Sequence, residues 1–282
     1  MSKVLDKLVT QRILHHYYSG NIMNPLQHGF RANKSCETAG YDLKSLVLEK
    51  TEGNLGVCMI SLDVAGAFDN VCWESILYLL AKASCPINTF GLVRSYLSDR
   101  WVIYETRATR VEHEVRRGCP QGSCSGPLFW NIVADSLLDC DFPANTYIQA
   151  YADDLVLVIW GHNKAEIEER GAEAICMIEE WGKLNRLSFS PKKTVMLPIT
   201  WRNRLSMVEP PEVYIDGHLI QAVKELKYLG VLWDGKLTFH PHFKNRKEEV
   251  DSLTYKLSRT VSKWFSKQPG MLKRVYTCAL EP

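Results

Sequence analysis

The chain has 282 residues, 46% of them hydrophobic, which suffices to bury a core in one or two compact units. Its 34 Lys and Arg nearly balance 32 Asp and Glu, leaving a net charge of +2, so overall charge announces no nucleic-acid partner and only its distribution can argue for one. No run of about 18 uncharged apolar residues occurs and no secretory leader is recognisable, so no membrane span is expected and the chain reads as soluble, globular and intracellular.

In chain order, an amphipathic helix is predicted over residues 3–18, with Val4, Leu5, Leu8 and Val9 on its apolar side. The loop QHGFR follows, then a helix over 36–51 and the strand VCMISL, which ends in Asp63 and runs into AGAFDN. Helices over 73–83 and 87–99 precede WVIYET and VEHEVRR, whose period-two patterning predicts a hairpin. A Gly-Cys-Pro-Gln-Gly-Ser loop, residues 118–123, leads through Gly126 and Pro127 into a further helix. The strands NTYIQA and LVLVIW then flank a tight turn, Tyr151-Ala152-Asp153-Asp154, which places two adjacent carboxylates at a hairpin tip. AEIEERGAEAICMIEEW is acidic outside and apolar at helical spacing, LSFSPKKTVML carries Lys192 and Lys193, and LKYLGVLWD alternates as a strand does. Residues 236–282 are predicted to be helical. No internal repeat, low-complexity tract or linker interrupts the series. The acid-tipped hairpin is expected beside the Asp63 strand in an antiparallel sheet backed by helices, an α+β fold.

Three acids on two strand ends point to a divalent-cation site. Mg²⁺ prefers hard oxygen ligands and keeps substrate phosphates in its shell, and a pair of ions about 4 Å apart can clamp an in-line phosphoryl displacement. Turn chemistry alone also accounts for Asp-Asp between strands, and an Asp at a strand end is often only a helix cap. The Gln loop likewise reads either as a nucleotide contact through Gln121 and its glycines or as a plain Gly/Pro loop before a helix. Nine cysteines, odd in number, scattered singly and without a C-x-x-C pair, read as reduced thiols. Cys119, Cys124 and His113 fit no common zinc spacing.

The ordered set of these segments resembles the reverse transcriptases of non-LTR (LINE-type) retrotransposons, particularly those of arthropod genomes. QHGFRANKSCETA resembles the family's finger motif, and SLDVAGAFDNV, RRGCPQGSCSGPLFWNI and YADDLVLVI resemble its first three palm motifs. SFSPKKT resembles the fourth and LKYLGVLWD the primer grip, so the match runs over roughly residues 27–234. It implies a right-hand polymerase, with residues 1–55 in the fingers, 56–235 in the palm and 236–282 in part of a helical thumb.

By that resemblance the chain would be an RNA-directed DNA polymerase using an RNA template, a DNA primer and a dNTP, with two Mg²⁺ ions for which Mn²⁺ can substitute, in the nucleus and cytoplasm. Asp63, Asp153 and Asp154 would be catalytic acids, with the carbonyl of Val64 adding a metal ligand and Lys193 standing near the departing pyrophosphate. Gly66 and Ala67 would turn backbone amides toward the triphosphate, and Gln121 and Gly122 would meet the nucleotide. Phe68 would sit beneath the ribose and leave no room for a 2′-hydroxyl, while Tyr228, Leu229 and Gly230 would hold the primer end. Each has a plainer reading: Phe68 as a core aromatic, Lys193 as solvated surface, the grip as an ordinary strand.

Relatives carry finger strands with basic triphosphate-binding residues before the segment SKVLDKLVTQRIL, where this sequence starts, so weak or absent activity is expected of the chain alone. An endonuclease upstream and a Cys/His knuckle downstream are implied as well. Residues 244–274 hold nine Lys/Arg against three acids with Tyr255, Trp264 and Phe265 interspersed, which suits a thumb helix on a primer-template backbone or a solvated helix face. Two alternatives stay open: a remnant that only binds nucleic acid, and an RNA-templated RNA polymerase, against which Phe68 speaks.

Overall fold

A computed structural model describes residues 2–120, 122–199 and 209–260, together with 270, 273, 274 and 277. Helices α1 (Ser2–Ser19) and α2 (Cys36–Glu52) precede strand β1 (Gly56–Asp63). A short helical turn α3 (Ala67–Asn70) leads to α4 (Trp73–Lys82), α5 (Ile87–Leu97) and the hairpin β2 (Arg100–Glu105) with β3 (Arg110–Val115). Next come α6 (Ser125–Leu138), the hairpin β4 (Thr146–Tyr151) with β5 (Asp154–Gly161), α7 (Lys164–Asn185) and β6 (Val195–Ile199). Short strands β7 (Tyr214–Ile215), β8 (His218–Leu219) and β9 (Gln221–Ala222) are followed by the hairpin β10 (Glu225–Tyr228) with β11 (Val231–Asp234), and by helix α8 (His240–Thr260).

The main sheet has the order β4-β5-β1-β6-β9. All its pairings are antiparallel except β6 with β9, so the sheet is mixed rather than wholly antiparallel as expected. Parallel neighbours cannot be joined by a tight turn, and the chain between residues 199 and 221 supplies the needed crossover length.

The apolar runs of β1 and β5 carry almost no polar alternation because both sheet faces are covered. Cys58, Ile60, Leu62, Leu155, Leu157 and Ile159 point into one core with α1, α4, α6 and α7. Val57, Met59, Val156 and Val158 point into a second core with Leu43 and Val47 of α2 and with Leu226, Tyr228 and Trp233 of the β10–β11 hairpin. One strand thus feeds two cores, as its period of two dictates.

Helix α1 corrects the sequence reading. Its buried stripe is Asp6, Val9, Thr10, Ile13 and Tyr17, while Val4, Leu5 and Leu8 are more than half exposed. The row Val9–Ile13–Tyr17 rises at i, i+4 spacing against the core and determines which way the helix rolls. Asp6 turns inward with it because its carboxylate accepts the Cys124 N–H at 2.7 Å. Helix α7 follows its expected pattern, burying Ile167, Ala174, Ile175, Ile178 and Trp181. The predicted helix over 236–282 is described through Thr260, and Lys263, Trp264, Phe265 and Lys267 of its basic stretch lie outside the described residues.

Candidate active site

The register of the sheet assembles the acids. Asp63 closes β1 and stands directly opposite Asp154, the first residue of β5, while Tyr151 pairs with Asp154 across the turn. Ala152 and Asp153 therefore form the tip, and Ala152 adopts a left-handed φ of 57°. Partial burial first, and the carboxylates of Asp153 and Asp63 after it, raise the pKa of Asp154 above the ordinary carboxylate value.

Asp63 Oδ2 is buried and takes no hydrogen bond from the described residues. The Lys193 Nζ lies 3.4 Å from it at the protein surface. The segment 188–194 brings this lysine in by running against the end of β1: Ala65 N–H donates to Ser188 O and Ser190 N–H donates to Asp63 O, both at 2.8 Å. These two bonds flank the pair Val64 and Phe189 and leave Val64's own N–H and C=O facing the opposite edge, where β5 lies.

Among the described residues, no three carboxylate, imidazole or thiol side chains already converge on one point as metal ligands. The donor set nevertheless fits a hard divalent cation. A buried carboxylate oxygen that accepts no hydrogen bond is costly, and Asp154, whose proton affinity is raised by partial burial and by the carboxylates of Asp153 and Asp63, is relieved by positive charge.

On the nucleotide side, Gly66 takes φ 57° ahead of the short helix α3, and Ala67 is buried. A Cβ at Gly66 would come within 2.8 Å of Asn70 Nδ2, and that same amide donates to Ala65 O at 2.9 Å. Phe68 is wedged between Trp130 and Phe30, with ring centroids 5.9 and 6.3 Å away. The Gln loop docks against α3, with Cys119 N–H donating to Phe68 O and Gly118 N–H to Val71 O. Gly122, at φ 78°, faces open space; Gln121 lies outside the described residues.

The β10–β11 hairpin has Leu229 and Gly230 at its tip, with φ 48° and 78°. Tyr228 belongs to this hairpin with its ring buried in the second core, and its hydroxyl accepts a hydrogen bond from Gln149 Nε2 of β4 at 3.2 Å. An aromatic opposite Val231 points to the sheet face that α2 covers, which leaves Leu229 and Gly230 at the tip. Arg246 of α8 donates to Gly230 O at 3.2 Å and ties the helix to this tip.

The sequence reading missed Gln27, Asn131 and Gln149, all buried and hydrogen-bonded: Gln27 to the acid turn, Asn131 to Gly29, and Gln149 to Ala39 and Tyr228. Their signal was a polar residue inside an apolar run, as in PLQHGF and TYIQAY, which no spacing rule singles out.

A sheet with acids on adjacent strand ends, helices behind it and a hairpin abutting it is the palm of a right-hand polymerase. Over residues 1–232 the chain matches the family described as reverse transcriptase (RNA-dependent DNA polymerase), and it belongs to that family. It is 33% identical over 280 residues to the Retrovirus-related Pol polyprotein from type-1 retrotransposable element R1 of Bradysia coprophila, covering 99% of this chain and 27% of that protein. Identity is 31% over 281 residues to the putative 115 kDa protein in type-1 retrotransposable element R1DM of Drosophila melanogaster, covering 99% of this chain and 26% of that protein. The chain thus spans about a quarter of the length of these relatives. Among solved structures, apo telomerase from Candida tropicalis superposes with a TM-score of 0.56 at 12% identity, covering 83% of this chain and 39% of that one, a likeness of fold.

Proposed function

We propose that this chain is the polymerase core of an RNA-directed DNA polymerase, which joins a dNTP to a DNA primer 3′-hydroxyl on an RNA template. The observation that carries the reading is the pairing of Asp63 with Asp154 in register, with Asp153 at the adjoining tip and Asp63 Oδ2 buried without a hydrogen bond. Asp63, Asp153, Asp154 and the Val64 carbonyl would hold the Mg²⁺ ions, or Mn²⁺ in their place. When bound, such ions acidify the primer hydroxyl and offset charge on the triphosphate.

The chain's own residues do the positioning. Lys193, exposed and paired weakly with Asp63, is free to move to the leaving pyrophosphate, because a surface ion pair is worth at most about 1 kcal/mol. Phe68 packs against two aromatic neighbours, which supports its reading as the floor that excludes a ribose 2′-hydroxyl. Amides in the first turn of α3 have no intrahelical acceptor and remain available to phosphate oxygens. Gly122 leaves the nucleotide side open, and Leu229 and Gly230 would support the primer end. Helix α8, exposed over residues 243–256 and with five Lys/Arg against three acids over residues 244–260, would lie near the duplex backbone.

Primer extension on an RNA template, with Mg²⁺ and the Asp153→Asn variant alongside, tests the reading. Extension with dNTPs in preference to rNTPs, lost in the variant, is expected. Salt-dependent binding of primer-template without incorporation would instead support a remnant that only binds nucleic acid.

A further inference from the structure

Ala152 occupies a left-handed conformation, which is costly for a residue with a Cβ and calls for support from its surroundings. The holding group comes from far away in sequence. Gln27 is fully buried, and its Oε1 accepts two backbone N–H groups, from Ala152 at 3.1 Å and from Gly29 at 2.9 Å. The backbone of the same segment covers the outer edge of β4: Ala150 N–H donates to Leu26 O at 3.0 Å and His28 N–H to Ala150 O at 2.7 Å. Gly29 lies so close that a Cβ there would collide with the Ala152 nitrogen. Asn131 of α6 closes the arrangement by donating Nδ2–H to Gly29 O at 2.8 Å. The turn that carries Asp153 is therefore gripped by a loop of the QHGFR motif, which is itself pinned to the helix after the Gln loop.

We infer that Gln27 is a positioning residue for the acid turn: its side-chain carbonyl holds the Ala152 N–H and thereby sets where Asp153 presents its carboxylate to a divalent cation. The inference rests on the polymerase reading above. Gln27 Nε2 has no hydrogen-bond partner among the described residues, so the acceptor oxygen is the part of the side chain that matters. A residue that orients a metal ligand from behind changes metal affinity by about 10–100-fold when removed.

The test compares the parent chain with Gln27→Met, which keeps the size and loses the acceptor, and with Gln27→Glu, which keeps an acceptor oxygen at the same reach. Three quantities are read: amide hydrogen exchange at Ala152, Mn²⁺ affinity by electron paramagnetic resonance without nucleotide, and the Mg²⁺ and dNTP dependence of extension. Gln27→Met is expected to lose Ala152 protection, to bind Mn²⁺ at least about tenfold more weakly and to need correspondingly more Mg²⁺, with the dNTP KM little changed. Gln27→Glu is expected to keep both protection and affinity. A merely structural role would lower the unfolding temperature without moving the metal dependence. If Gln27→Met does not fold, Gln27→Asn, whose amide falls one carbon short, carries the same expectation. A folded Gln27→Met or Gln27→Asn with parental Ala152 protection and Mn²⁺ affinity overturns the inference and leaves the polymerase reading standing. A parent chain that neither binds Mn²⁺ nor extends a primer overturns both.

Discussion

Two hairpin tips in this molecule share a backbone solution and differ in what surrounds it. The acid tip at Ala152-Asp153 and the grip tip at Leu229-Gly230 each join two antiparallel strands, and each begins with a non-glycine residue in the left-handed region. Behind the acid tip stand Gln27, which holds the Ala152 N–H, and Gly29, which lies against Ala152 and is itself held by Asn131. Ahead of the grip tip is open space, since a Cβ on Gly230 would meet nothing, and its anchorage comes from behind through Tyr228, Gln149 and Arg246. The tip that handles charge is held by a side chain on its Ala152 N–H; the tip that would meet a long, moving strand is held at its base by Tyr228 and on its Gly230 carbonyl by Arg246, with the space ahead of it open. The Tyr228–Gln149 hydrogen bond joins the two, because Gln149 lies on the strand that leads into the acid turn.

The largest effect that breaks this comparison is chemical. Asp153→Asn should remove primer extension, a loss of at least roughly 10³-fold, with the unfolding temperature unchanged, as checked by single-turnover kinetics beside calorimetry. Next is the shared anchor: Tyr228→Ala should cost about 3–5 kcal/mol of folding stability in urea titrations, because it empties a buried aromatic site. Tyr228→Phe removes only the hydroxyl and should cost about 1 kcal/mol, raising primer KM while leaving the Mg²⁺ requirement of extension alone.

Smaller still is the link from the grip hairpin to α8. Burial pushes the Asp234 carboxyl up, but the amides of Thr238, Phe239 and Lys236, with the Thr238 hydroxyl, outweigh it and hold its pKa below the usual value. A depressed pKa means stability that is present above the unfolded value and is lost as pH falls through the folded one. Asp234→Ala should therefore cost about 1 kcal/mol at neutral pH and less in acid, with the difference from the parent shrinking as the carboxyl protonates. Urea titrations across that pH range check it.

Asp154 has the opposite sign. Its raised pKa makes the ionised form unfavourable in the fold, so its contribution is present below the unfolded value and is lost as pH rises through the folded one. In metal-free buffer Asp154→Asn should raise stability by less than about 1 kcal/mol near neutral pH and by nothing in acid, given how exposed the turn is. Added Mg²⁺ should stabilise the parent more than the variant, as thermal unfolding with and without the ion will show.

Most of the fold was legible because the apolar runs and turn residues agree with it: β1, the acid hairpin, α2, α6 and α7 fall close to where periodicity puts them. Helix α1 was misjudged in its facing, since Val4, Leu5 and Leu8 offer as good an apolar stripe as Val9, Ile13 and Tyr17 until a partner is present to choose. The β2–β3 hairpin shows the same limit from the other side. Its Trp101, Val102, Ile103 and Tyr104 are as apolar as much of β1, yet all four are exposed because, among the described residues, no helix covers them.

What the sequence determined by itself was the list of acids and their order on strand ends, because hydrophobic period and turn chemistry act over a few residues. Family membership followed from that same local order. Only the tertiary structure decided that Asp63 and Asp154 meet in register, that Tyr228 points inward, and that Gln27 reaches Ala152 from 125 positions away. Each of these depends on which buried donor finds which acceptor once the chain has collapsed, and a buried polar group accepts whatever partner the packing brings to it, at any distance along the chain.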